Sequence, residues 1–166
     1  EGTGVALPER GELLEIGKGR IVRQGRDIAF LSFGARLGEC LEAADLLEAG
    51  GLSVTVADAR FAKPLDVGLI GELAQRHDLL VTVEEGASGG FGACVLQHLA
   101  ETGQLDGSFA IRTLCLPDRF EQQANPRTMY ERSGLNAPQL AQSALDGLVR
   151  RQQNQPNKNV RLAAIS

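Results

Sequence analysis

The sequence predicts a three-layer α/β fold, a mostly parallel open sheet of about five strands with helices on both faces. Three observations carry this expectation. Apolar runs of strand length alternate with stretches whose apolar residues recur at helical spacing. Glycine or proline punctuates the changes from one to the other. The strand-like runs are apolar throughout instead of alternating with polar residues, the pattern of strands covered on both faces. Right-handed crossovers then join parallel neighbours.

The elements follow in order. Residues 1–18 mix glycine, proline and glutamate without sustained periodicity, which reads as an interdomain linker. Residues 19–25 set Ile21 and Val22 between glycines, as an edge strand or hairpin arm would. Residues 28–33 form a first internal strand that ends at Gly34, followed by a helical stripe of Leu37, Cys40, Leu41, Ala44 and Leu47 that closes at Gly50-Gly51. A strand over 53–59 leads to Pro64, whose fixed φ suits the first turn of a helix with Leu65, Leu69, Ile70 and Leu73. Asp66 in that first turn favours the helix dipole. The third unit is a strand over 79–83, a glycine-rich turn and a helix through Val95, Leu96 and Leu99 to Gly103. A last strand, 111–116, stops at Pro117. After an irregular stretch, a helix over 137–150 places Leu140, Ala144, Leu145 and Leu148 on one side. The domain therefore spans 19–150, and 151–166 is a polar tail expected to fray.

Composition narrows the function. Of 166 residues, 43% are hydrophobic, the formal charge is −4 and there is no tryptophan, so neither a basic stripe nor a platform of base-stacking aromatics marks a nucleic-acid partner. No apolar stretch approaches the roughly 20 residues that cross a bilayer. Three widely separated cysteines suggest neither a zinc knuckle nor a disulfide framework, and a reduced, cytoplasmic setting is expected. Position 1 is not methionine and no signal-peptide pattern follows, so the chain reads as a piece of something longer.

In an open parallel sheet, ligands gather beyond the carboxyl ends of the strands, which directs attention to the loops there. Gly34, Ala35 and Arg36 place a glycine turn and a cation at a helix start, a candidate anion site, although glycine also serves the turn itself. The run from Glu85 to Gly92 departs from the Gly-x-Gly-x-x-Gly order and follows the third strand, which disfavours a dinucleotide site. Glu84 and Glu85 are adjacent in a strand and point to opposite faces, so they make no converging acid/base pair. Either carboxylate caps the glycine loop or reaches a basic group across a boundary. Gly89, Gly90 and Phe91 suit close backbone approach to the chain's own sheet or to a partner. Asp118, Arg119 and Phe120 mix charge with an aromatic, as a domain contact or a local salt bridge would. His77 and His98 lack companions for a metal site, and no nucleophile with a base stands out, so no catalytic, cofactor or metal residue is assigned.

Taken together, Ile16-Gly17-Lys18-Gly19-Arg20, Leu31-Ser32-Phe33-Gly34, the run from Val56 to Asp66, Val83-Glu84-Glu85-Gly86 with Gly89-Gly90-Phe91-Gly92, and Leu116-Pro117-Asp118-Arg119-Phe120 resemble the C-terminal domain of the 1-deoxy-D-xylulose-5-phosphate synthase family, over roughly residues 2–148. Blocks such as Lys63-Pro64-Leu65-Asp66 recur across the wider transketolase group, including the β-subunits of 2-oxoacid dehydrogenases. The resemblance implies a transketolase C-terminal-like domain from an enzyme that joins pyruvate, after decarboxylation, to glyceraldehyde 3-phosphate for isoprenoid, thiamine and pyridoxal synthesis. It implies thiamine diphosphate and magnesium in the whole homodimeric enzyme and neither in this chain, because the family keeps its diphosphate-and-magnesium motif in the first domain and its activating glutamate in the second. Residues 1–4 look like the exit from that second domain, just after an arginine the family uses near the substrate phosphate. Glu84, Glu85, Gly89, Gly90, Phe91, Asp118, Arg119 and Phe120 then become candidate contacts with the other two domains or the second subunit. The alternative is a stand-alone α/β binding or docking module, as in 2-oxoacid dehydrogenase β-subunits.

Overall fold

A computed structural model describes residues 9–154; the first half of the expected linker and most of the expected tail lie outside them. The apolar runs form strands β1 (Arg20–Arg23), β2 (Ile28–Phe33), β3 (Val54–Asp58), β4 (Leu79–Glu84) and β5 (Ala110–Leu114). They make one sheet in the order β1-β3-β2-β4-β5. Three of the four pairings are parallel; the fourth lies at one edge, where β1 runs antiparallel to β3 with a register shift between Ile21 and Arg23.

Helices α1 (Leu37–Ala49) and α5 (Ala137–Asn154) cover one face, and α2 (Val67–Arg76) and α3 (Phe91–Glu101) the other. Because strand side chains alternate, Ile28 and Phe30 face α1 and α5 while Ala29 and Leu31 face α2 and α3. Two cores result, one on each face of the sheet. α1 ends as its glycine pair requires. Gly51 takes φ +86, its N–H donates to the Glu48 carbonyl, and the Leu52 N–H reaches back to the Leu47 carbonyl, a Schellman closure with both leucines buried.

Four boundaries differ from the sequence expectation. Helix α2 starts at Val67, not at Pro64: Asp66 is its N-cap, accepting from the Leu69 N–H at 3.0 Å, which leaves Pro64 and Leu65 in the preceding loop. Strand β5 ends at Leu114, so Cys115 lies past it. The stretch expected to be irregular contains α4 (Pro126–Arg132), with the Asn125 side chain accepting from the Thr128 N–H and proline at the helix start. Helix α5 continues through Asn154, because Arg151 is buried, pairs with Asp78 at 2.6 Å and donates to the Ser108 carbonyl at 2.9 Å.

The cysteines separate by burial. Cys40 sits in the core under α1, and loss of solvation pushes its thiol up to about 12 despite the Ser32 hydroxyl beside it, whereas Cys94 and Cys115 are partly exposed and unpaired. A disulfide-exchange reagent at neutral pH is therefore expected to modify two thiols of the native chain and the third only with unfolding, since the thiolate is the reacting species. Fast modification of all three under native conditions would contradict the burial of Cys40.

Candidate functional site

The carboxyl ends of β2, β3, β4 and β5 share one rim, and β1, being antiparallel, delivers its first residue there too, with Arg20 opposite Asp58. The chain moves outward from β2 in both directions, through α1 to β3 and later to β4 on the other side. Such a switch of direction opens the crevice where α/β sheets receive ligands. Here the chain fills it. The Phe33 ring stacks on Phe91 with centroids 5.0 Å apart, and Arg36 reaches across to Glu85 at 2.9 Å.

The two adjacent glutamates diverge as strand geometry requires and take different work. Glu84 is buried and turns toward α3, where its two oxygens accept from the N–H groups of Phe91 at 2.9 Å and Gly92 at 2.8 Å. Gly90 precedes that helix and has no side chain to cap it, so the carboxylate supplies from the strand the charge that a helix N-terminus favours. A methyl at Gly86 or Gly90 would collide with Glu84 Oε2, which explains why both positions are glycine. Gly92 is constrained in turn by the sheet, with Thr82 Oγ1 2.7 Å from where its Cβ would be.

Glu85 faces the opposite layer. Besides Arg36 it engages Tyr130 of α4, and its hydrogen bond, followed by burial and by its charge, holds the phenol above the ordinary tyrosine range. The Arg36 guanidinium lies 3.8 Å from the centre of the Tyr130 ring. Arg36 also faces Glu39 at 3.9 Å, and Glu39 in turn accepts from the Ala137 N–H at 2.7 Å, so that a carboxylate on α1 caps α5. Two of the helices thus receive their terminal acceptor from another element, α3 from the preceding strand and α5 from a residue 98 positions away.

These partners decide the candidate residues. Gly34, with φ +86, and Ala35 are exposed, but Arg36 is already held between Glu85, Glu39 and Tyr130. The adjoining cleft of about 780 Å³ also carries Glu42, Asp45 and Glu131 against one further cation, Arg127, an excess of negative charge that opposes an incoming anion. Phe91, only 3% exposed, belongs to the core with Val95 and Leu99, and Glu84 is spent on α3, so neither presents a side chain to a partner. Both are interior residues of the domain. Glu85 is partly covered by its ion pair. Gly89, at φ +92, lies exposed at the tip of the turn, with Gly90 behind it. Asp118, Arg119 and Phe120 are exposed; Arg119 pairs with Glu121, and Phe120 stands fully in solvent at 107%.

Sequence reasoning missed Tyr130 and Glu39. Tyr130 was reachable only through α4, whose start Asn125-Pro126 is a local signal; Glu39 left none, since it caps a helix 98 positions away.

Known proteins agree with this geometry. Residues 17–140 match the family model described as transketolase, C-terminal domain. The chain is 62% identical over 148 residues to a protein named 1-deoxy-D-xylulose-5-phosphate synthase 2 from Jannaschia sp. (strain CCS1), covering 89% of this chain and 23% of that one. It is 51% identical over 162 residues to 1-deoxy-D-xylulose-5-phosphate synthase from Rhodobacter capsulatus, covering 98% and 24%. The chain therefore spans about a quarter of the length of these relatives. Among solved structures, a split-gene transketolase described as an inactive β4 tetramer superposes with a TM-score of 0.74 at 29% identity, over 82% of this chain and 44% of that one. A transketolase mutant from Pichia stipitis shares the fold, with a TM-score of 0.58 at 13% identity over 81% of this chain and 18% of that one.

The cap and the exposed rim make opposite demands on the isolated chain. Glu84→Ala strands two buried N–H groups and is expected to cost about 3 kcal/mol, and Phe91→Ala about 3 to 5 kcal/mol. Gly90→Ala also destabilises, because the methyl meets the carboxylate. Phe120→Ala stays within about 0.5 kcal/mol of the parent. Urea unfolding checks all four, and an unchanged midpoint for Glu84→Ala would refute the capping role.

Proposed function

The chain belongs to the transketolase C-terminal domain family, and from that premise we propose that it is the third domain of a 1-deoxy-D-xylulose-5-phosphate synthase, serving to hold the catalytic domains and a second subunit in place. The observation that carries this reading is the state of the strand-end rim. Its ligand crevice is closed by Phe33, Phe91, Arg36 and Glu85, while Phe120, Gly34, Ala35 and the Gly89 turn face outward. A filled crevice, with an exposed aromatic in a neighbouring strand-end loop, suits contact with protein more than binding of a small molecule.

The whole enzyme condenses pyruvate with glyceraldehyde 3-phosphate in the cytoplasm as a homodimer, and thiamine diphosphate with magnesium supplies the carbon–carbon bond chemistry. The residues of this chain do not fit that group. The N-terminus of α3 already holds the Glu84 carboxylate, that of α5 holds Glu39, and no three potential ligands converge among the described residues. Arg36, the cation best placed for a diphosphate, is engaged by two carboxylates. No step of the reaction is therefore assigned to this chain's side chains, and its contribution is positional. The anion-binding version of a stand-alone module loses its support to the same contacts.

Two results test the proposal. The reading frame upstream of Glu1 is expected to encode a Gly-Asp-Gly…Asn thiamine-diphosphate motif and a second α/β domain with its glutamate; a start codon without them would leave an independent module. In the full-length enzyme, Phe120→Ala is expected to lower the melting temperature by roughly 2–4 °C with kcat within about twofold. If melting and dimer affinity are both unchanged, Phe120 is not an interface residue.

A further inference from the structure

The segment that enters the domain carries an unusual load of exposed apolar surface. Residues 12–16 read Glu-Leu-Leu-Glu-Ile, form neither helix nor strand, and leave Leu13 at 104% and Ile16 at 75% exposure, with Leu14 also exposed. Immediately after them the chain is pinned. Gly17 is buried against Pro64, with φ +75, and Gly19 fits between Leu69 and the Asp58 carbonyl while its N–H donates to Asp66 at 3.1 Å. The pin fixes where the segment leaves: at the carboxyl end of β3, beside the start of α2, where Val67 is a further exposed apolar residue. This is the same rim that presents Phe120 and the Gly89 turn.

We infer that residues 12–16 are an apolar strap that lies on the neighbouring catalytic domain of the same polypeptide, with Leu13 and Ile16 as its anchors and Val67 extending the contact. This deepens the reading of the chain as a third domain and rests on it. The comparisons favour an occupant particular to the synthases. The family-wide domain model begins at residue 17, just past the strap, whereas similarity to the Rhodobacter capsulatus synthase covers 98% of the chain and so takes the strap in. The domain's own cores do not need these side chains, which belong to neither cluster. Relatives about four times as long supply the protein surface to cover them. Continuity with the Phe120 rim places that surface on the side where the domain is already proposed to meet its partners.

Hydrogen exchange on the full-length enzyme and on the isolated chain tests this. Amides of residues 12–16 are expected to exchange at least tenfold more slowly in the full-length protein than in the isolated chain, at any protein concentration. The double variant Leu13→Asp with Ile16→Asp should melt like the parent as an isolated chain, where the strap touches neither core, and should lose that protection in the full-length enzyme. Equal exchange in the two parent proteins overturns the inference. Protection that disappears on dilution to monomers overturns it as well, since the occupant is then a second copy. Either failure is distinguishable from failure of the third-domain reading, which Phe120→Ala and the upstream sequence test independently.

Discussion

The carboxylate of Glu84 at the start of α3 organises the region where strands become loops. A strand that ends in a buried carboxylate needs donors close by, and the two N–H groups of Phe91 and Gly92 meet that need only if the helix begins almost on top of the strand end. That approach requires glycine at 86, 90 and 92, where side chains would strike Glu84, Thr82 or Thr113. With the helix start drawn inward, Phe91 enters the core against Phe33 and the tip at Gly89 is pushed out. Strand alternation then sends Glu85 to the other layer, to Arg36 and through it to Tyr130 and α4. One dipeptide thus ties both helical layers to the end of β4.

The same arrangement occupies two of the places where such a fold often binds ligands. Helix N-termini attract anions because their N–H groups and dipole are uncompensated. In α3 and α5 the compensation is internal, from Glu84 and Glu39, and the guanidinium nearest the crevice is neutralised by two carboxylates. Retaining the architecture while closing its crevice leaves the rim free to act through shape and apolar contact.

Much of this was legible in the sequence, and the failures have physical causes. Strands β2, β3 and β4 are apolar runs between turn residues, and α1 and α3 carry stripes, so local pattern and tertiary environment agree. The divergence of Glu84 and Glu85 followed from period-2 geometry alone, and capping of the glycine loop was one of the two roles it allowed. Phe91 lies in the core although its glycine neighbours suggest a surface loop, and it stands four residues before Val95 and eight before Leu99, the spacing of a buried stripe. Phe120 has no such companions, which is why the two phenylalanines differ. Helix α4 was overlooked because its seven residues include no buried one; its place is fixed by Tyr130 over Arg36, a contact 94 positions apart that no local window contains. Helix α2 was begun early because proline was given priority over the aspartate that caps it.

In the proposed third-domain role, the rim is the surface best suited to meet the rest of the protein. Both faces of the sheet are covered by helices, so neither can accept a partner without loss of core. The β1 edge is short, irregular at Val22 and tied by Arg23 to Asp45 and Glu48 on α1. On the β5 edge, the Ala110 N–H bonds inward to the Asp78 carbonyl, so the next carbonyl, that of Ile111, points off the sheet, and the Arg112 guanidinium donates to it at 2.7 Å. One outward acceptor of this short edge is thereby occupied from within the chain. At the amino ends of the strands, Arg151 fastens α5 to Asp78 and the Ser108 carbonyl, again satisfying polar groups within the domain. The carboxyl-end rim alone among these surfaces combines exposed apolar side chains, a projecting glycine turn and the point where the chain enters, and it is there that apolar burial has most left to gain.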